Sequence, residues 1–269
     1  MGASSAGRTK PLGLADFEAY KAAGIGYMEV SSTPEIYKEF YWDEVRRCSE
    51  KTGVKIWSLH TPFHPDTHNI ANLDRNVREF TIKNYIEMFD HASLLGAKVV
   101  IVHPSSEPIS DRDRPTAMTY SKESLSILAP QAQKRGIVIA VEDLPRTCLG
   151  NTAEELLELV SVDSRLKICF DVNHLLKQTH RHFIRTAGEK IVTLHISDYD
   201  FCDERHWLPG KGKIDWNEIL ELLESIGYSN PFMYEVRMRN DSDDDPERAK
   251  YPPLSEGKAN FIKIMERNI

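Results

Sequence analysis

The segment GAKVVIVH, residues 96–103, decides how the chain folds. Val99 to Val102 form an unbroken run of branched apolar side chains, and a strand apolar on both faces belongs to a parallel sheet covered by helices. Gly96 falls where a preceding helix would end, since glycine takes the left-handed conformation beyond a helix C-terminus at least cost. His103 closes the segment where a buried strand would reach the rim of its sheet, and Pro104 follows it.

The same phrase recurs along the chain. Residues 26–29, 53–60, 136–142, 188–195 and 227–235 each lead from a glycine through a short apolar stretch to Glu29, His60, Glu142, His195 and Glu235, respectively. Residues 166–171 reach Asp171 without the glycine. The intervening segments predict amphipathic helices. In residues 80–95, Phe80, Ile82, Tyr85, Ile86, Phe89, Ala92 and Leu95 recur at helical spacing and predict a buried stripe. Asp215 with Glu218, and Thr152 with Glu155, carry the pattern of an N-cap followed by an acidic third residue.

Strands alternating with helices make a parallel sheet, either open or closed into a barrel. Strands lie ~4.8 Å apart, so the ends of seven strands in an open sheet would spread over ~29 Å and could not share one site. Closure brings them around one mouth. The expected fold is therefore α/β, a single-domain (β/α)₈ TIM barrel over residues 1–269, with its rim residues at the catalytic face. Its first strand would be short or truncated, because only residues 2–7 remain to supply it.

Composition narrows the partners. The 269 residues carry a formal net charge of −7, which offers no overall basic field and weighs against nucleic acid as the main partner. No apolar run approaches the ~20 residues of a membrane span and the first residues lack a signal-peptide pattern, so a cytoplasmic protein is expected. Cys48, Cys148, Cys169 and Cys202 show no metal-binding spacing and read as reduced, with Cys169 inside a strand.

Singly, each rim residue has an ordinary reading as a loop hydrogen-bonder. Together, Glu29, His60, His103, Glu142, Asp171, His195 and Glu235 form a ring of carboxylates and imidazoles that would repel or desolvate one another unless a cation bound among them. Mixed histidine and carboxylate ligation suits Mn²⁺, Zn²⁺, Co²⁺ or Mg²⁺. His174, three residues after Asp171, would join the group if the chain turned into a helix there. The long loop after His195 adds Asp198, Glu204 and His206 beside the same mouth. Elsewhere, His64 and His68 read as polar-loop residues, and His180 and His182 as the exposed side of a polar helix. Trp57 and Trp216 read as core, Trp42 and Trp207 have no assigned place, and the run DSDDDPER, residues 241–248, reads as a solvated loop.

From about residue 14 onward the chain resembles the xylose-isomerase-like sugar isomerases and epimerases, a TIM-barrel superfamily that also contains the endonuclease IV repair enzymes. The resemblance lies in VEDLP (141–145), FDVNH (170–174), LHISDYD with HWLPGKGKIDW (194–216) and MYEV (233–236), in this order and at these spacings. It implies one divalent metal held by Glu142, Asp171, His195 and Glu235, with Glu142 and Glu235 doubling as the acid/base pair. Proton transfer would run through a metal-stabilised enediolate of a sugar or sugar phosphate. Glu29, His60, His103, His174, His206 and Arg237 would meet the substrate. The endonuclease branch implies a different chemistry, phosphodiester cleavage by three zinc ions, for which His60, His103, His174, Glu204 and His206 are the additional candidates. Related barrels also act as lyases or dehydratases on oxidised sugars and inososes, and members commonly form homo-oligomers.

Overall fold

The computed structural model describes residues 1–243 and 245–268; Asp244, within the charge run 241–248, and Ile269 lie outside the described residues. Among the described residues eight parallel strands form one sheet: β1 (Gly2–Ser4), β2 (Tyr27–Val30), β3 (Lys55–His60), β4 (Val99–Val102), β5 (Val138–Glu142), β6 (Lys167–Asp171), β7 (Ile191–His195) and β8 (Met233–Tyr234). They neighbour one another in chain order from β1 to β7, and β8 pairs with β1. Between β7 and β8 the ladder thins to one parallel bridge, Ile196 with Tyr234. There the Ile196 amide donates to the Met233 carbonyl at 2.8 Å and the Glu235 amide to the Ile196 carbonyl at 3.1 Å. The chain is an α/β TIM barrel, nearly closed, with the short first strand expected from residues 2–7. That strand begins with a glycine because β8 lies close, and a Cβ on Gly2 would stand 2.6 Å from the Met233 methyl.

The run Val99–Val102 is buried on both faces because each face meets a different apolar layer. Val100 and Val102 pack into the main core between sheet and helices, while Val99 and Ile101 turn inward with Ala140 and Cys169 to fill the barrel, packed against Trp57. Trp57 is thus a partly buried plug inside the barrel, its indole N–H donating to Thr193 Oγ1 at 3.2 Å. Trp216 lies in the core between helices and sheet. Cys48 and Cys148 are buried, Cys202 is exposed, and all four cysteines are free.

Several local expectations meet a different arrangement. The helix predicted over 80–95 spans Arg75–Leu94 and buries Tyr85, Phe89 and Ala92. Phe80, however, is 52% exposed and packs edge-on to His68. Thr81 faces inward in its place, its hydroxyl satisfied by the Val77 carbonyl at 2.7 Å. Gly96 does take the left-handed conformation (φ 72°), but Gly188 is helical (φ −54°). Gly188 is small for a steric reason: a Cβ there would approach Ile226 Cγ2 at 2.8 Å. At the start of β2 it is Gly24, not Gly26, that is left-handed. His180 is buried rather than exposed, and its Nε2–H donates to the Val172 carbonyl at 2.7 Å. Both predicted caps form, with Thr152 Oγ1 accepting from the Glu155 amide at 3.2 Å and Asp215 Oδ1 from the Glu218 amide at 3.1 Å. Among the described residues no helix is long and apolar enough to cross a membrane.

Candidate active site

Each parallel strand delivers its last side chains to the same end of the barrel, so residues far apart in sequence converge there. Glu142 at the end of β5 is the hub. Its Oε1 lies 2.8 Å from His195 Nδ1 and its Oε2 lies 3.1 Å from both His60 Nε2 and His103 Nε2. His195 Nδ1 also faces Glu235 Oε2 at 3.2 Å and Asp171 Oδ2 at 3.9 Å. On the other side of that ring, Nε2 meets Glu29 Oε2 at 3.1 Å. His174 extends the cluster outward, with Nε2 at 3.4 Å from Asp171 Oδ2 and 3.2 Å from Glu204 Oε2. His206 Nδ1 stands 3.1 Å from the Glu235 carbonyl oxygen.

Glu29 lies on the far side of the His195 ring from the other carboxylates: it meets Nε2, whereas Glu142, Asp171 and Glu235 meet Nδ1. It is fully buried, and Ser58 Oγ donates to its Oε2 at 2.7 Å. Glu29 therefore supports His195 from behind instead of lining the cavity. His174 reaches Asp171 through a tight turn, not a helix: the Asn173 amide donates to Asp171 Oδ1 at 2.7 Å and the His174 amide to the Asp171 carbonyl at 3.3 Å.

Burial and neighbouring charge act on the carboxylates of the cluster in opposite directions. Burial pushes the Asp171 carboxyl well above its ordinary range against the pull of His174, and the Glu235 and Glu142 charges push it the same way. Burial would raise Glu142 too, but His195, His103 and His60 outweigh it and hold that carboxyl well below the usual range. Among the described residues Asp171 Oδ2 is buried without a hydrogen bond, facing His174 Nε2 at 3.4 Å and His195 Nδ1 at 3.9 Å, an arrangement that costs free energy and that a bound cation would relieve. Ligand atoms of Glu142, Asp171, His195 and Glu235 lie within 4.8 Å of one another and could hold one ion. One imidazole with three carboxylates, and no cysteine among the four, fits a divalent metal of the Mn²⁺, Zn²⁺, Co²⁺ or Mg²⁺ class. The Glu29 contact at Nε2 would leave His195 Nδ1 as the donor atom, the usual carboxylate support behind a metal-binding imidazole. Among the described residues three further groups, His60 with His103 and Glu142, His174 with Glu204 and His206, and Glu142 with Cys169 and His195, meet the same distance limit.

A cavity of about 360 Å³ opens above the cluster, with His60, His103, Glu142, His174, Glu235 and Arg237 on its wall. That is the size range of small-molecule sites. A second lobe of about 430 Å³ shares Phe63, His206, Glu235 and Arg237 with it. Phe63, which the sequence reading passed over, stacks on His103 with ring centroids 4.2 Å apart and is 50% exposed. Asp143 and Arg146 were also missed. Asp143 Oδ1 accepts from the Asp171 amide at 2.7 Å, and its carbonyl lies 2.8 Å from His174 Nδ1, which fixes that ring's tautomer. Burial pushes its carboxyl up to about 8. Arg146 grips Glu107, Asp203 and Glu204 from a left-handed backbone (φ 51°), a conformation that costs a residue with a Cβ and needs such contacts to hold it. The acidic residue after VEDLP's glutamate was legible as Asp143, but nothing in a lone loop arginine announces such a role.

Residues 17–254 match the family described as xylose isomerase-like TIM barrel. An uncharacterised protein of Methanocaldococcus jannaschii is 31% identical over 193 residues, 68% of this chain and 65% of that protein, so the match spans slightly less than two thirds of its length. The D-psicose 3-epimerase of Ruminiclostridium cellulolyticum is 27% identical over 241 residues, 84% of this chain and 80% of that one. Among solved structures, a D-tagatose 3-epimerase-like protein superposes with a TM-score of 0.78 at 25% identity, covering 99% of this chain and 97% of its own. The IOLI protein, solved with a bound zinc atom, gives 0.77 at 22% identity, covering 99% and 96%. With the match running through β2 to β8, all the strands that carry the cluster, the chain belongs to the xylose isomerase-like TIM barrel family.

Proposed function

We propose that the chain is a divalent-metal-dependent sugar isomerase or epimerase that moves a proton at the carbon beside a carbonyl. The observation that carries this reading is the pair of carboxylates, Glu142 and Glu235, both against His195 Nδ1 (2.8 and 3.2 Å) on the wall of one small cavity. A divalent ion held by Glu142, Asp171, His195 and Glu235 would supply Lewis-acid polarisation of the sugar carbonyl and its neighbouring hydroxyl. Glu235 then removes the C–H proton made acidic by the carbonyl. Glu142 delivers a proton, drawn from the His60 Nε2–H that faces its Oε2 at 3.1 Å, to the opposite face in an epimerase or to the adjacent carbon in an isomerase. Each acid/base step of this kind contributes ~10²–10⁴-fold. His174, His206 and Arg237 line the cavity and bind hydroxyls, while Glu29 positions His195. The sugar epimerases among the relatives support this class of reaction. A lyase acting on an oxidised sugar or inosose would use the same first proton transfer.

The reading predicts about one metal per purified chain by elemental analysis. It also predicts that Glu235→Gln abolishes exchange of a substrate C–H proton with heavy water, a loss of at least 10²-fold. Exchange at the wild-type rate in that variant would remove Glu235 as the base. One observation favours a second reading: the donor groups around Glu142, around Asp171 and around Glu204 could together hold three ions, as a zinc phosphodiesterase of the endonuclease IV type requires. Three zinc ions per chain and nicking of abasic DNA would decide for it.

A further inference from the structure

Beside the site lies a larger groove of about 1030 Å³ that shares Glu204, His206 and Arg237 with the reaction cavity. Among the described residues its wall carries five lysines and arginines against two glutamates, in a chain whose net charge is −7. Arg205 on that wall is paired with Asp200, and Arg248 nearby with Asp243. Lys211, Arg237 and Lys250 are exposed and, among the described residues, make no ion pair within 4.0 Å. Two of these cations converge on one ring: Lys250 Nζ lies 5.2 Å from the centroid of Tyr251, and the positive charge of Arg237 beside it, with that of Lys250, pulls the Tyr251 phenol below its ordinary value. Trp207, 40% exposed, stands on the same wall with the Arg205 guanidinium 5.9 Å from its ring. Solvated lysines scattered over a surface need no explanation. Unpaired cations from two separate loops and β8's end, gathered in a concave groove that runs into the reaction cavity, do.

We propose that this groove binds an anionic group, a phosphate ester or a carboxylate, carried by the sugar at the end remote from the reacting carbons. The inference rests on the sugar reading above and narrows its substrate to acidic sugars. Arg237 sits at the junction of the two cavities, so it contacts both the sugar chain and its charged end. Lys211 and Lys250 act further out. Trp207 supplies an apolar face for the carbons between.

The test is calorimetric binding of D-fructose, D-fructose 6-phosphate and D-fructuronate to the Mn²⁺-loaded protein, with heavy-water exchange followed for each. At least one acidic sugar should bind tenfold or more tightly than the neutral one, and which of the two does so identifies the group. In the double variant K211Q/K250Q that preference should fall about tenfold, as expected for losing charge-assisted contacts, and rising salt should erode it in the wild type. Both side chains are exposed, and the neutral sugar's affinity in the same variant reports on its folding. Equal binding of all three sugars, or an equal loss for neutral and acidic ones in the variant, overturns the proposal. If no sugar exchanges its proton yet the variant still loses the acidic preference, the groove stands and the isomerase reading fails. Loss of affinity confined to an abasic oligonucleotide would reassign the groove to nucleic acid.

Discussion

Glu29 shows how much a single residue's placement matters. It recurs in the same phrase as the other rim residues, yet it stands behind the His195 ring, at Nε2, while Glu142 and Glu235 stand at Nδ1. A carboxylate that is fully buried, bound by Ser58 Oγ and by His195 Nε2, has no access to a substrate. Its task is to hold one imidazole in one tautomer and make the opposite nitrogen a better donor. Glu29→Gln should therefore leave the fold intact and weaken metal affinity ~10–100-fold, measured by competition with a chromogenic chelator. Unchanged affinity would show that His195 orients itself without this support. The recurring polar residue was legible in sequence. Its place behind His195 was not, because which ring nitrogen a strand-end carboxylate meets is decided only when strands far apart in sequence close into the barrel.

Among the elements, the loop from residue 196 to 215 decides the outer half of the site. It carries Glu204 and His206, and it is tied down by one side chain: Asp198, fully buried, accepts from the amides of Tyr199, Gly210 and Ile214 and from the Trp216 indole at 2.7–3.2 Å. Asp198 also exchanges both backbone hydrogen bonds with Trp207. Gly212 passes so close that a Cβ would stand 2.3 Å from Asp198 Oδ1. Replacing Asp198 by Asn substitutes an NH₂ for one acceptor and sets donors against donors. A loss of roughly 2 kcal/mol in urea denaturation is expected, with faster amide exchange across the loop. If exchange in the loop stays slow, the aromatic contacts alone hold it. The sequence signalled the loop by its length and its Glu-x-His pair. It could not show the clasp, because an aspartate with four donors and one in solvent read alike in one dimension, and the cations of the outer groove meet only in the fold.

Over the whole molecule, acid sensitivity is built into imidazoles distant from the reaction cavity. Burial lowers His180; it lowers His68 with help from Lys38, and His91 despite the nearby Asp90 and Glu87. His91 also stacks on Trp42, ring centroids 4.3 Å apart. Each is neutral in the folded chain at a pH where the unfolded chain, with its histidines near ~6.5, already binds a proton. Because the unfolded state takes up more protons, these residues contribute stability above about pH 6.5 that is lost as pH falls through their lower folded values. Denaturation midpoints should drop between pH 7.5 and pH 5, and His91→Phe, which keeps the stack, should gain on the wild type over that interval. A wild-type-to-variant difference independent of pH would exclude His91 from the effect. The global architecture was the most legible level of all, since seven strand–polar phrases, six of them opened by a glycine, can share one mouth only by closing. The short first strand followed by arithmetic. Gly188 and Phe80 departed from pattern for local steric reasons, which neighbours in space decide.

The joint between β7 and β8 gives the barrel an unequal circumference. Among the described residues its other seven joints are ladders of two or more residue pairs, whereas this one meets at one stitch beside Ile196. His195 stands on one side of the joint and Glu235 on the other. An ion gripped by both would act as a hoop at the weakest seam, so stripping it should loosen the cylinder there first, and the amides of Ile196 and Glu235 would be the earliest to admit solvent.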